Sequence, residues 1–243
     1  MLFSAYAKLR AENYTGAVVL DSEDTDVNVQ AAYVSQQLRG DLMMKRKHAI
    51  INCKALLSHE VAQIIIPLHV ITGSDHISGF YGHGKKQALQ KVITDRQARE
   101  LLARVGESLE LDEKVRSDMK AFVLSKVYAE NAVTCGQARA SKWHELKKKS
   151  TIRIPPDDDS LNHHLQRTNY ITYCQLHYEL LQHPSPMGHG WESVNGKCRP
   201  VRYALPPFPQ LLRCGDSSDD TSDDSDSNDE TSECEESTDS DEQ

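Results

Sequence analysis

Three acids, Asp24, Asp26 and Asp75, have the residue type and spacing that could do chemistry. Asp24 and Asp26 belong to the stretch Ser22-Glu23-Asp24-Thr25-Asp26, which directly follows the apolar run Ala17-Val18-Val19-Leu20. Asp75 closes Thr72-Gly73-Ser74-Asp75. A hard divalent cation such as Mg2+ or Mn2+ takes oxygen ligands, and metal-dependent phosphodiesterases supply several carboxylates. The next motif is Gly82-His83-Gly84-Lys85-Lys86. Gly82 and Gly84 permit a tight turn with positive φ and close approach of the backbone to a ligand. A helix starting there would offer free N–H groups to a phosphate, and Lys85 and Lys86 would add salt-sensitive affinity for a phosphate backbone. Together the motifs point to phosphodiester chemistry, or the remains of it. The plainer alternative is loop and cap acids beside an ordinary helical corner with solvated lysines.

The elements that must position these residues read as an α/β domain. Residues 1–10 carry Leu2, Ala5, Tyr6 and Leu9 on one helical face, and residues 13–16 break it. Residues 17–20 read as a buried, parallel strand, which would deliver Asp24 and Asp26 at the carboxyl edge of a sheet, in an acidic loop. Residues 48–51 are a second candidate strand. Residues 60–71 form an apolar helix with Pro67 inside it or at a kink, and shorter helices are expected over 85–92 and 96–105. Residues 112–130 place Val115, Met119, Phe122, Val123 and Val127 at helical spacing. The runs Lys147-Lys148-Lys149 and Ile154-Pro155-Pro156-Asp157-Asp158-Asp159 read as a linker. Ser160 is a candidate N-cap for a helix to about residue 182, and residues 188–209 read as Gly- and Pro-rich coil.

Composition adds limits. The chain has 243 residues and a net charge of −8, but the charge is uneven. Residues 215–243 hold 14 acids and no Lys or Arg, which leaves 22 acids against 28 bases in residues 1–214. Such a tail cannot bury enough apolar surface to offset its ordering entropy and is expected to be disordered. Its Ser and Thr residues precede acids, which suits acid-directed kinases. It would either shield the basic body as a mimic of nucleic acid or serve only to solubilise. The six cysteines are scattered without a Cys-x-x-Cys pair, which argues against a zinc ribbon or a disulfide scaffold. No signal peptide opens the chain and no apolar run could span a bilayer, so an intracellular protein, nuclear before cytoplasmic, is expected. The domain reading is a core over 1–93, a mainly helical extension over 94–214 and the tail over 215–243.

The order Ser22-Glu23-Asp24-Thr25-Asp26, Thr72-Gly73-Ser74-Asp75, Gly82-His83-Gly84-Lys85-Lys86-Gln87-Ala88 resembles the flap endonuclease-like branch of the PIN-domain nucleases over residues 17 to about 93. The resemblance implies a PIN-like sheet-and-helix core followed by a helix-hairpin-helix. It implies Asp24, Asp26 and Asp75 as ligands of one of two metals. It also implies Gly82, Gly84, Lys85 and Lys86 as contacts to duplex or branched DNA, with K+ at the hairpin. Beyond that region the chain resembles a narrower group of metazoan proteins linked to mobile elements. The shared blocks are Asp-Thr-Asp-Val, His-x-x-Thr-Gly, Gly-x-Gly-Lys-Lys, a helix with Arg167, Asn169 and Tyr170, and a late Gly190-Trp191. Some of that group carry a cysteine-rich C-terminal module. Here Leu211-Leu212-Arg213-Cys214 runs into the acidic tail, so that module is expected to be missing.

The departures are equally informative. The family places an acidic pair on the helix before the Asp-x-Asp strand, yet the nearest positions hold Leu2, Phe3, Ser4 and Ala5, and no acid precedes Glu12. The remaining metal ligands are expected before residue 1, and the chain to be a fragment or degenerate copy without independent nuclease activity. His163, His164, His177, His183 and His189, with Cys174 and Cys198, do not share zinc-ligand spacing and read as surface or packing residues. Trp143, Tyr170, Tyr173, Tyr178 and Trp191 read as satellite-core aromatics, and Lys45-Arg46-Lys47 as a solvated face. Two functions follow: a partial, metal-dependent DNA-processing domain, or a non-catalytic nucleic-acid or protein-binding module that keeps the fold.

Overall fold

The computed structural model describes residues 2–146, 152–180 and 182–202, all within one compact unit. The expected tail, its phosphorylation sites, Lys147-Lys148-Lys149, Cys214 and Cys234 lie outside the described residues. Among the described residues the fold is α/β, with eight α-helices, a three-stranded mixed sheet and a two-stranded one. The order is α1 (Leu2–Ala11), β1 (Ala17–Asp21), α2 (Thr25–Ser35), β2 (Asp41–Arg46), β3 (Ala49–Asn52), α3 (His59–Ile71), α4 (Lys85–Thr94), α5 (Arg96–Arg104), α6 (Glu113–Phe122), α7 (Cys135–Glu145), α8 (Asp158–Leu176), β4 (Trp191–Val194) and β5 (Lys197–Pro200).

β1 pairs in parallel with β2, as a strand–helix–strand crossover through α2 requires, and β2 turns through Lys47-His48 to pair antiparallel with β3. The parallel strand at residues 17–20 is therefore present, but it is not buried. β1 is an edge strand with no fully buried residue, and Val19 is 55% exposed. β2 is the buried strand: Leu42 and Met44 alternate inward onto Ala31, Val34, Leu38 and Cys53, while Lys45 pairs outward with Asp21 at 2.6 Å. The acidic stretch is also not an extended loop. Only residues 22–24 separate β1 from α2, because Asp24 caps α2 by accepting from the Asp26 N–H at 2.9 Å.

α3 is the organising helix. Nine of its thirteen residues are buried, which fits a helix apolar on every side and packed against α2, α4, α5 and α8. Pro67 lies inside it, buried. The main core gathers Val61, Ile64 and Leu68 of α3 with Leu102, Met119, Leu161 and Leu165. The segment expected as one helix over 112–130 divides into α6 and a π-helical turn at Val123–Val127, which keeps Val123, Leu124 and Val127 all inward. α7 begins with a capping box between Thr134 and Gln137. α8 starts earlier than expected: Asp157 is its cap, accepting from the Ser160 N–H at 2.8 Å and the Ser160 hydroxyl at 2.9 Å.

Part of the stretch expected as coil over 188–209 is a β-hairpin. Asn195 and Gly196 both take positive φ, 51° and 74°, which is the two-residue turn that matches strand twist. Arg167 ties the hairpin to α8. Its Nη1 donates to the carbonyls of Gly190 (3.1 Å) and Val201 (2.5 Å). A Cβ at Gly190 would come within 2.6 Å of the His163 carbonyl, so only glycine lets the chain approach α8 here. Tyr170 meets Trp191 edge-on at 5.4 Å, and Asn169 secures the turn after α5 by accepting from the Gly106 N–H and donating to the Ser108 and Leu109 carbonyls.

Candidate functional site

Asp26 stands in the first turn of α2, where a carboxylate is favoured by the exposed N–H groups. It faces α3, and its Oδ1 lies 2.6 Å from His69 Nε2. His69 projects from the last turn of α3 and is only 4% exposed. Lys85, the first residue of α4, places Nζ 3.0 Å from His69 Nδ1 and 3.3 Å from Nε2. With Nε2–H given to the carboxylate, Nδ1 is the lone-pair nitrogen, and it is the one nearer the ammonium. The residues around the ring thus satisfy both nitrogens of a neutral imidazole.

The charges agree with that protonation. Burial lowers the His69 pKa most, and the Lys85 charge lowers it further, against the opposing pull of Asp26 and Asp75. Burial lowers the Lys85 pKa as well, partly offset by the same two carboxylates. The chain therefore brings Asp26 and Lys85 into contact with one histidine, and Asp75 near enough for its charge to act on it. His69 is the residue missed from the sequence as a participant. It opens the His-x-x-Thr-Gly block, and its only other signal was a polar residue inside an otherwise apolar helix.

A short loop sets Asp75. Thr72 ends α3 by donating to the Leu68 carbonyl at 2.7 Å. Gly73 follows at φ 113°, where a Cβ would meet Gly79 Cα at 2.6 Å. Ser74 and Ile77 then exchange backbone hydrogen bonds of 2.8 and 3.1 Å, which presents Asp75 and His76 outward on a two-residue tip. Asp24 remains apart from the cluster. It is exposed, and its carboxylate is engaged by the backbone of its own helix.

This arrangement does not fit a divalent cation. The Asp26 oxygen nearest the cluster is bonded to His69, and the Lys85 ammonium already supplies positive charge beside it. Among the described residues, no group of three or more His, Cys, Asp or Glu side chains is placed to hold a metal ion, and the late histidines form none either.

The glycine turn is differently built. Gly82 takes φ 79° beside the Arg153 side chain, and the His83 N–H donates to the Phe80 carbonyl. His83 folds inward onto Tyr128, with ring centroids 4.4 Å apart. Burial lowers its pKa first, and Lys142, Lys91 and Arg153 lower it further. Gly84 caps α4 without a side-chain hydrogen bond, and nothing lies within 4 Å of where its Cβ would be. Lys86, the second residue of α4, is exposed. The open amino end of α4 thus starts with Lys85 and Lys86 close after Gly82, beside which Arg153 lies; Arg153 was not foreseen because it comes from a distant part of the sequence, and Lys142, whose charge reaches His83, is paired with Glu130 and Glu145. Comparison with family models, with curated proteins and with solved structures finds no match to this chain.

Proposed function

We propose that the chain is a nuclease-derived module that binds DNA through the phosphate backbone at the Gly82–Lys86 turn and does not cleave it. The observation that carries this is the open amino end of α4 at Gly84, which begins with Lys85 and the exposed Lys86 and follows Gly82, beside which the Arg153 side chain lies. Free N–H groups at a helix N-terminus together with lysines and an arginine suit phosphate oxygens without reading sequence. The non-catalytic reading is supported by the cluster next to it. In place of several free carboxylates stands an Asp26–His69–Lys85 hydrogen-bonded chain, which neutralises one acid and brings an ammonium close to where a metal would be needed. On this reading, α3, the connection over residues 72–84 and α4 take the part of the helix-hairpin-helix in the nucleases that the sequence resembles.

Binding of labelled duplex and flap DNA, followed against salt, tests the first half. Affinity should fall steeply with salt, and Lys86→Ala should lower it for every sequence alike and flatten the salt dependence by about one counterion. Salt-independent or absent binding would refute the proposal. Magnesium-dependent cleavage of flap, hairpin and single-stranded DNA tests the second half, with Asp24→Ala and Asp75→Ala as controls. Equal background in all three proteins is expected. Cleavage that both substitutions abolish would establish a working metal site instead.

A further inference from the structure

Arg167 is 8% exposed on α8, yet no carboxylate among the described residues pairs with it. Burying a guanidinium without a counter-ion is costly. Two neutral carbonyls, of Gly190 and Val201, take hydrogens from Nη1, and Nε and Nη2 have no partner among the described residues. Burial lowers the Arg167 pKa with no opposing carboxylate. The side chain lines a groove of about 670 Å³, a volume suited to a small ligand. Arg202 lines the same groove, and no Asp or Glu among the described residues does.

The rest of the described wall mixes aromatic side chains with aliphatic ones such as Ile77, Ile152 and Ile154. His164 is buried, donates from Nε2 to the Ile71 carbonyl at 3.0 Å, and has its pKa pushed down to about 4 by burial. Phe80 lies against its ring at 4.7 Å and meets Tyr128 edge-on at 5.5 Å. Aromatic side chains next to two arginines, with no acid among the described lining residues to repel an anion, match a ligand with a doubly charged oxyanion head and a flat body.

We propose that this groove, between the loop over residues 76–81, α8 and the end of β5, is a binding site for a phosphomonoester carrying a planar group, of the nucleoside monophosphate class. Arg167 grips the phosphate with the donors left free by the hairpin, Arg202 adds a second charge from the rim, and Phe80 and the exposed Tyr81, which line the groove, pack on the planar group. The phosphomonoester could be a free nucleotide or the 5′ end of a strand, and both present the same chemistry.

Calorimetry on the full chain with adenosine 5′-monophosphate, adenosine and inorganic phosphate tests the site. The monophosphate should bind at least about tenfold more tightly than adenosine, since two charge-assisted contacts are lost without the phosphate. Arg202→Gln should weaken it by a similar factor. Arg167→Lys keeps a charge but loses the fork, and should weaken it as well. If that variant fails to fold because the hairpin is released, Arg202→Gln still decides. A 5′-phosphorylated single strand that binds more tightly than both the mononucleotide and its 5′-hydroxyl counterpart assigns the strand end; otherwise the free nucleotide is assigned. Equal binding of adenosine and its monophosphate, no binding of either, or full affinity in folded Arg202→Gln would overturn the proposal.

Discussion

The sheet and the helical body of this molecule are held together to very different degrees. β1 is an edge strand with no fully buried side chain, and Val19 and Ile50 are more than half exposed. α3, α5, α6 and α8 interlock around side chains with no exposure at all, among them Leu102, Met119, Leu161 and Leu165. Two of the acids first singled out for chemistry, Asp24 and Asp26, follow the lightly packed strand β1, whereas Asp75 and the histidine that holds Asp26 come from the body. A site meant to position metals needs rigid support for every ligand. Here Asp26 on α2 reaches its place by bonding to His69 on α3, so the contact works as a clamp between the two regions.

The largest expected effect separates the two regions directly. Leu165→Ala should destabilise the fold by about 3 kcal/mol, through lost transfer energy and a cavity that close-packed neighbours cannot fill. Val19→Ala should cost under about 1 kcal/mol, because most of that side chain is already in water. Denaturant midpoints of the two variants measure the contrast, and similar losses would break the comparison.

Acid should act through the body next. Folded His164 takes its proton at about 4, against 6.5 in the unfolded chain, because burial disfavours the charged ring. The unfolded state thus binds more protons between those values. The associated stability is complete above pH 6.5, declines as pH falls through that window and is gone below 4. The gap corresponds to about 3 kcal/mol. His69 and His83 are shifted in the same direction and add to the loss. His164→Gln, which can still donate to the Ile71 carbonyl, should flatten the unfolding free energy between pH 6.5 and 4. An unchanged slope would mean that His164 is not buried and neutral.

Legibility in the sequence follows the same division. Helical spacing located α1 and α6, a long apolar run located α3, and a cap pattern located α8, because each leaves a local signal. β2 was missed because Asp41-Leu-Met-Met-Lys-Arg46 buries only two residues, and its basic end read as a charged patch. The hairpin was missed although Asn195-Gly196 announces it, since glycines and prolines around it read as coil. Asp24 and Asp26 were visible as paired acids. That one would cap a helix while the other bonded to a histidine 43 residues away depended on a tertiary contact that no local pattern encodes.

The clamp can be opened from either side. Asp26→Asn should cost about 2 kcal/mol, the scale of a partly buried hydrogen bond with a charged partner, and should lower the His69 pKa further by removing the carboxylate that favours the imidazolium. Lys85→Met should move the His69 pKa upward, because the neighbouring positive charge is lost. Opposite shifts of the His69 ring signals in the two variants, followed by NMR titration, are the expected result. Shifts of the same sign would show that the three groups do not act on one another as the distances require.

The smallest effect should stay within the hairpin. Gly196 lies at φ 74° with nothing within 4 Å of a would-be Cβ, so Gly196→Ala meets only backbone strain, about 1 kcal/mol. β5 is exposed along its whole length, so that strain is relieved by local opening and not by unfolding of the core. Amide exchange in β4 and β5 should speed up about fivefold while the global midpoint hardly moves. Arg167 sets this boundary, since it grips the carbonyls of Gly190 and Val201 just outside the paired strands. Faster exchange that spread into α8 would show that the hairpin supports the body, where the packing has the body supporting the hairpin.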